Sequence, residues 1–508
     1  MKTKLKLFAA LASTALLSLT ACGNTKYAEE TDEAIINQIE VVNREDGVYG
    51  NIYLPTEIEG ATVTWKSSDQ KVIDAKGNEN MKPGIVYRQA EDKTVKLTAI
   101  IDKEGVKSQY EQEVLVKAAP EEIKDEDYKA YLFGHFVGEG YGKTSGGQKV
   151  ATGEQMFFAL ADVGQGLKFK DMNKSTMNSL KPVLSSKIGE RGVRDPYICR
   201  SPEGDTFYLI ATDLSVYTRG GWNNNAGQAT KTGSHSIVLW ESHDLVNWTE
   251  ERLIEVADPK AGMAWAPEMI YCEETGEYLI FFSSTILDDV SKGVNAKILR
   301  RDSVYYTTTR DFHHFTETRQ FIPNIKYQDN IKTRNESDQY AENNDFRKVI
   351  DGSVMKIGDW YYSACKDGGN NEDGGGIRIQ KTQNLYDGEW EFVQNLADAG
   401  FKAEGRNADN KCLEGPEWFY LNQADRTDPN VPEIGLMADF YANTSVGYIP
   451  WATTNVEDIK NAEGSWRQLK SGTGEDNFNW DKQTKRHGTI LRITEEEANR
   501  LKEAYPIA

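Results

Sequence analysis

The chain is 508 residues long, more than one hydrophobic core normally serves, since single cores stop growing near about 250–300 residues. Hydrophobic residues make up 39% and charged residues 27%, within the range of soluble globular proteins. A formal net charge of −20 repels phosphate backbones and anionic lipid headgroups, which argues against nucleic acid as a partner and reads mainly as a solubilising surface.

Residues 1–21 carry a basic start (Lys2, Lys4, Lys6) and a short apolar run from Leu7 to Leu19. The run is too short to span a bilayer and reads as a signal peptide. It ends in Leu19-Thr20-Ala21-Cys22-Gly23, which resembles a bacterial lipobox. That resemblance implies cleavage before Cys22 and lipidation of its sulfur. The chain is then exported and lipid-anchored to the cell membrane or cell surface, touching the membrane only through that anchor. Residues 22–34 would be a polar, acidic tether. Cys199, Cys272, Cys365 and Cys412 show no CxxC spacing, so they read as small buried hydrophobes with room for one bridge rather than as a zinc site.

From 35 to 117 short runs alternate with a period of two, as in Ala61–Lys66 and Thr94–Ile101, separated by turns such as Lys76-Gly77-Asn78. About six such strands predict a small β-sandwich with Trp65 in its core. It resembles the immunoglobulin-like modules that precede many exported bacterial glycosidases. Residues 118–127 read as a linker.

Residues 128–508 are strand-rich and repeat. A polar turn followed by a closing aromatic recurs at Phe169, Trp248, Phe315, Trp390 and Trp466, at spacings of 79, 67, 75 and 76. Units of four short strands that cannot bury their faces alone predict a five-bladed β-propeller. The C-terminal run Arg486–Ile493 would pair with Tyr131–Phe133 of the first unit and close the ring, leaving no bare sheet edge. The pair His313-His314 falls on a solvent-facing turn.

At the first strand of successive units stand Asp195 (Arg-Asp-Pro-Tyr), Glu268 (Trp-Ala-Pro-Glu), Asp351 (Val-Ile-Asp-Gly), Glu414 (Leu-Glu-Gly-Pro) and His487 (Arg-His-Gly), separated by 73, 83, 63 and 73 residues. On inner strands these groups converge on one funnel. Charged groups are seldom buried without a partner, so four acids in one cavity require a chemical reason. Glycoside hydrolysis supplies one: an acid protonates the leaving oxygen while a second carboxylate activates water, and like charges nearby raise the donor's pKa.

In this order the motifs, with the flanking Gly192–Asp213 and Trp240–Glu250, resemble glycoside hydrolase family 43 over roughly residues 130–495. The resemblance implies an inverting, exo-acting enzyme that releases arabinofuranose or xylose from plant oligosaccharides or polysaccharides. Asp195 would be the general base and Glu414 the general acid. Glu268 would tune and orient the donor, although that family commonly has Asp there. Asp351, Trp265 and Arg486 would contact sugar. His487 resembles the axial histidine of that family, implying a cation, commonly calcium, near it; the chemistry itself requires no cofactor. Two other readings stay open. One is a non-catalytic, lipid-anchored carbohydrate-binding propeller. The other is a retaining fructan- or sucrose-type hydrolase, whose Asn-Asp-Pro-Asn and Glu-Cys motifs are missing here.

Overall fold

The computed structural model describes residues 33–507, apart from 146–147, 163–164, 175–179, 223, 225–227, 324, 327–345, 369–375, 387–388, 397–412, 441–446, 459–465, 470–477 and 480–484. Cys22, the signal and nearly all of the tether lie outside the described residues, as does Cys412.

Alternation builds the first domain. In Ala61–Ser67, Ala61, Val63 and Trp65 are buried while Thr62, Thr64 and Lys66 face solvent. The strand pairs with Lys93–Lys103, which turns through Glu104-Gly105, both at positive φ, into Val106–Val116. Two short strands, Ile73–Asp74 and Ile85–Val86, and a helix, Glu33–Ile39, cover the other side. Trp65 lies in this core, its indole donating to the Pro55 carbonyl at 2.8 Å.

The remainder is a five-bladed β-propeller of four-stranded antiparallel sheets. Blade 1 is made of Tyr128–His135, Phe157–Asp162, Lys170–Asp171 and, from the far end of the chain, Gly488–Thr494. That last strand pairs with the first from Gly488 opposite His135 to Thr494 opposite Tyr128. Blades 2 to 5 begin on the inner strands Val193–Arg200, Trp265–Cys272, Val349–Ile357 and Leu413–Tyr420. Each inner strand touches the next, and Gly488–Thr494 touches both the first and the last of them. The hub is a closed ring.

Side-chain period holds the blades together. Leu209 and Ala211 enter the core between blades 1 and 2, while Ile210, on the same strand, enters the core between blades 2 and 3. Each closing aromatic belongs to a different inter-blade core: Phe169, Trp248, Phe315, Trp390 and Trp466 pack into five separate clusters. The aromatic repeat is therefore the wedge that seals neighbouring blades.

The immunoglobulin-like domain is docked on blades 2 and 3. Arg88 forms a bidentate pair with Asp205 at 2.8 and 2.7 Å, and its side chain is 3% exposed. Arg310 of blade 3 donates to the carbonyls of Lys82 and Pro83 at 3.0 and 2.6 Å. Asn51 donates to Tyr271 Oη and the Gly276 carbonyl, each at 2.9 Å. Tyr49 stacks on His243, and Tyr53 on His314 at 4.1 Å, so His314 is a contact of the module rather than part of a solvent-facing turn. Cys199, Cys272 and Cys365 are free thiols, which leaves no bridge among them.

Candidate active site

Four inner strands break register at the same place, between Arg194 and Tyr197, Trp265 and Glu268, Ile350 and Ser353, and Glu414 and Glu417. Within each break one residue takes the left-handed conformation: Asp195 (φ 48°), Ala266 (46°), Asp351 (54°) and Gly415 (52°). Proline follows three of them, and a residue without an N–H cannot pair in a ladder, so the strand bulges. Left-handed non-glycine residues cost of order 1–3 kcal/mol, and such strain gathers at functional sites.

The bulges are stitched from blade to blade. Ala266 N–H donates to Thr212 Oγ1 of blade 2 at 2.7 Å, and that hydroxyl donates to Asp195 Oδ2 at 3.1 Å. Asp351 N–H donates to Ser283 Oγ of blade 3 at 2.9 Å, and Gly415 N–H to Asp351 Oδ2 at 3.2 Å. At Gly415 a Cβ would stand 2.6 Å from the His487 ring, so the glycine is required by both conformation and space.

Three carboxylates share the mouth. Asp195 is held by Thr212 and by His487 Nδ1, 3.6 Å from its Oδ1. Glu414 Oε2 meets Lys366 Nζ at 2.5 Å, and its Oε1 lies 3.6 Å from Arg486 Nη2. Burial alone would raise Glu414, but Lys366 outweighs it, helped by Arg486 and His487, and holds the carboxyl below its usual range. Asp351 is pushed up to about 7, first by burial and then by the neighbouring Glu414 charge, with Lys366 opposing. Arg486 also bonds Asp439 Oδ2 at 2.6 Å; Asp439 is fully buried and rises to about 6.

Glu268 is not part of this trio. It stands two residues beyond the left-handed position, deeper in the hub, where it shares a hydrogen bond with Glu417. Burial and the Glu417 charge push Glu268 well above its ordinary range, and burial brings Glu417 to about 8. Two carboxyl oxygens in hydrogen-bond contact need a proton between them. The sequence expectation that Glu268 tunes Glu414 is therefore corrected: the acid next to Glu414 is Asp351. Trp265 occupies the bulge position matching Arg194 and Glu414, its ring 6.1 Å from that of Trp222 in an edge-to-face contact. Trp222 is half exposed at the rim, its indole donating to Glu139 at 3.2 Å, and Glu139 also meets Arg194 at 3.3 Å.

The ring of His487 lies along Tyr448, burial holds its pKa below the ordinary value, and Nδ1 faces Asp195. Among the described residues no group of three or more His, Cys, Asp or Glu is placed to hold a metal ion. Lys366, Glu417, Glu139 and Asp439 were not foreseen. Prolines carried the missing signal for Glu417: Trp-Ala-Pro-Glu268 and Glu-Gly-Pro-Glu417 align on Pro267 and Pro416, and so pair the two glutamates.

Residues 126–499 match the family described as "Probable glycosyl hydrolase domain", related to glycoside hydrolase family 43, and residues 29–119 match an atrophied bacterial immunoglobulin domain. The chain is 31% identical over 342 residues to an alpha-L-arabinofuranosidase of Bifidobacterium longum subsp. longum, covering 62% of this chain and 28% of that protein. It therefore spans under a third of the length of that relative. An arabinanase of Bacillus subtilis shares 14% identity at a TM-score of 0.32, covering 57% of this chain and 84% of its own. An alpha-L-arabinofuranosidase of Lactobacillus brevis shares 15% at 0.33, covering 55% and 72%. These superpositions are too loose to bear on the site. With the family match running through all five blades, the chain belongs to the glycosyl hydrolases related to glycoside hydrolase family 43.

Proposed function

We propose that the protein is an inverting, exo-acting α-L-arabinofuranosidase or β-xylosidase that trims plant oligosaccharides or polysaccharides. In this reading Asp195 takes a proton from water as its oxygen bonds to the anomeric carbon. Glu414 gives a proton to the glycosidic oxygen as the bond to that oxygen breaks. Asp351 takes the tuning role first expected of Glu268, and Arg486 orients Glu414 from behind. The observation that carries the reading is the trio Asp195, Asp351 and Glu414 at the bulges of the inner strands of blades 2, 4 and 5, two of them clamped by Thr212 and Lys366. The likeness to an alpha-L-arabinofuranosidase supports the sugar.

The test is turnover of a panel of aryl glycosides with NMR detection of the first product anomer. An inverted arabinose or xylose is expected, and a retained anomer overturns the mechanism. Glu414→Gln is expected to lower kcat at least about 100-fold on substrates with poor leaving groups. Release equal to wild type would end the assignment of Glu414 as proton donor, and no release by either protein would leave a carbohydrate-binding propeller instead.

Export and lipidation at Cys22 belong to the same proposal, supported by the basic start, the short apolar run and the lipobox-like text. Mass spectrometry of the protein from its native membrane should find the N-terminal cysteine acylated, and Cys22→Ala should release the protein from the membrane.

A further inference from the structure

Resting on the reading of Glu414 as proton donor, the inference concerns what holds that donor before substrate arrives. Lys366 lies on the second strand of blade 4, Trp360–Asp367, opposite Ile350 and one residue from the bulge at Asp351. Its ammonium is 2.5 Å from Glu414 Oε2, and both side chains are about four-fifths buried. Other charged or titratable groups face Glu414 from neighbouring elements: Asp351 on the inner strand of blade 4, Asp439 on the second strand of blade 5, and Arg486 and His487 before the closing strand, while Asp195 of blade 2 faces Asp351 and His487. Arg486 is already bound to Asp439 at 2.6 Å and stands farther from Glu414 than Lys366 does.

A carboxyl tied to an ammonium at hydrogen-bond distance is a carboxylate, and a carboxylate cannot donate the proton that glycosidic cleavage needs. The Lys366 position therefore conflicts with the task of Glu414 unless the contact is broken during turnover. A lysine can break it: its charge sits on a flexible stem with rotatable donors, unlike the rigid fork of arginine. We infer that Lys366 is a substrate-displaced latch on the proton donor, paired with Glu414 in the free enzyme and moved onto sugar hydroxyls when substrate fills the mouth. With the latch closed, the site's proton resides on Asp351. Once the latch opens, Glu414 loses its nearest cation and takes up the proton that the leaving oxygen then receives. Lys366 is thus a positioning residue, and the latch makes the donor acidic only when a sugar is present.

Two pH profiles read this directly, because kcat/KM reports the free enzyme and kcat the bound complex. On an aryl arabinofuranoside, the alkaline limb of wild-type kcat is expected about one pH unit above that of kcat/KM. Lys366→Met should raise the kcat/KM limb until the two coincide, while Lys366→Arg, whose rigid fork stays on Glu414, should lower the kcat limb toward that of kcat/KM. Coincident limbs in wild type, or a gap unchanged in Lys366→Met, would overturn the latch. Thermal melts of both variants identify misfolding, in which case the wild-type comparison alone decides. Failure of the donor assignment is a separate outcome: Glu414→Gln would then turn over alkyl arabinofuranosides like wild type, whatever the limbs do.

Discussion

Glu417 and Glu268 form a carboxyl pair at the bottom of the hub, with Thr489 Oγ1 donating to Glu417 at 3.0 Å. Both folded-state values lie above the ordinary one, so the folded protein binds protons that the unfolded chain has released. Their contribution is full below the unfolded pKa near about 4.5 and is lost as pH rises through the folded value, about 8 for Glu417. Melting temperature should therefore fall between pH 5 and 8, and Glu417→Gln, which keeps a hydrogen-bonding amide in place, should flatten that fall. An unchanged slope in the variant would show that the pair holds no shared proton. The three acids at the mouth were legible in sequence because each sits in a motif with Gly or Pro. The error over Glu268 came from counting acids as equivalent, when the bulge is set by proline and by the left-handed residue before it. Lys366 left no such mark: it lies inside an ordinary strand and acquires its role only through the pairing that places it beside Asp351.

At the scale of the element, one bulge repeated on four strands makes the site, and one strand makes the ring. Gly415→Ala should lower activity far more than stability, since it must displace His487, which touches Asp195. A left-handed alanine costs about 1 kcal/mol or more, enough to be seen in a melt but not to unfold a protein of this size. Retention of wild-type kcat/KM would mean that the bulge tolerates a side chain. Removing residues 486–508 takes away the inner strand of blade 1 and its seven paired positions with Tyr128–His135. That truncation should abolish cooperative unfolding, and a melt like wild type would show that the ring closes without it. This closure could be read from sequence because the first unit lacked a strand and the last run lacked a blade. The aromatic wedges were equally readable, since a closing residue in every blade repeats at the period of the fold.

For the whole molecule, the docking of the immunoglobulin-like domain was the feature that sequence concealed. Its contacts are single residues scattered over hairpins and turns, with no period to reveal them. Arg88 also donates to the carbonyls of Lys117 and Tyr49, so it fastens the module to itself as well as to Asp205. Removing Arg88 takes away the bidentate partner of Asp205, whose side chain is only partly buried, together with the bonds to three carbonyls of the module. Arg88→Ala should therefore loosen the module, seen as faster proteolysis near residues 118–127, while turnover of a small aryl glycoside stays within about twofold. Equal proteolysis would mean that Arg310 and Asn51 suffice. The module sits at the hairpins Arg200–Phe207 and Cys272–Glu277, the ends of the inner strands opposite their bulges. Anything grafted to or held through the module thus approaches the propeller from behind. Beads coupled through this domain should present every funnel to the surrounding liquid, and a branched polymer too large to enter the bead surface could still offer its tips to the enzyme.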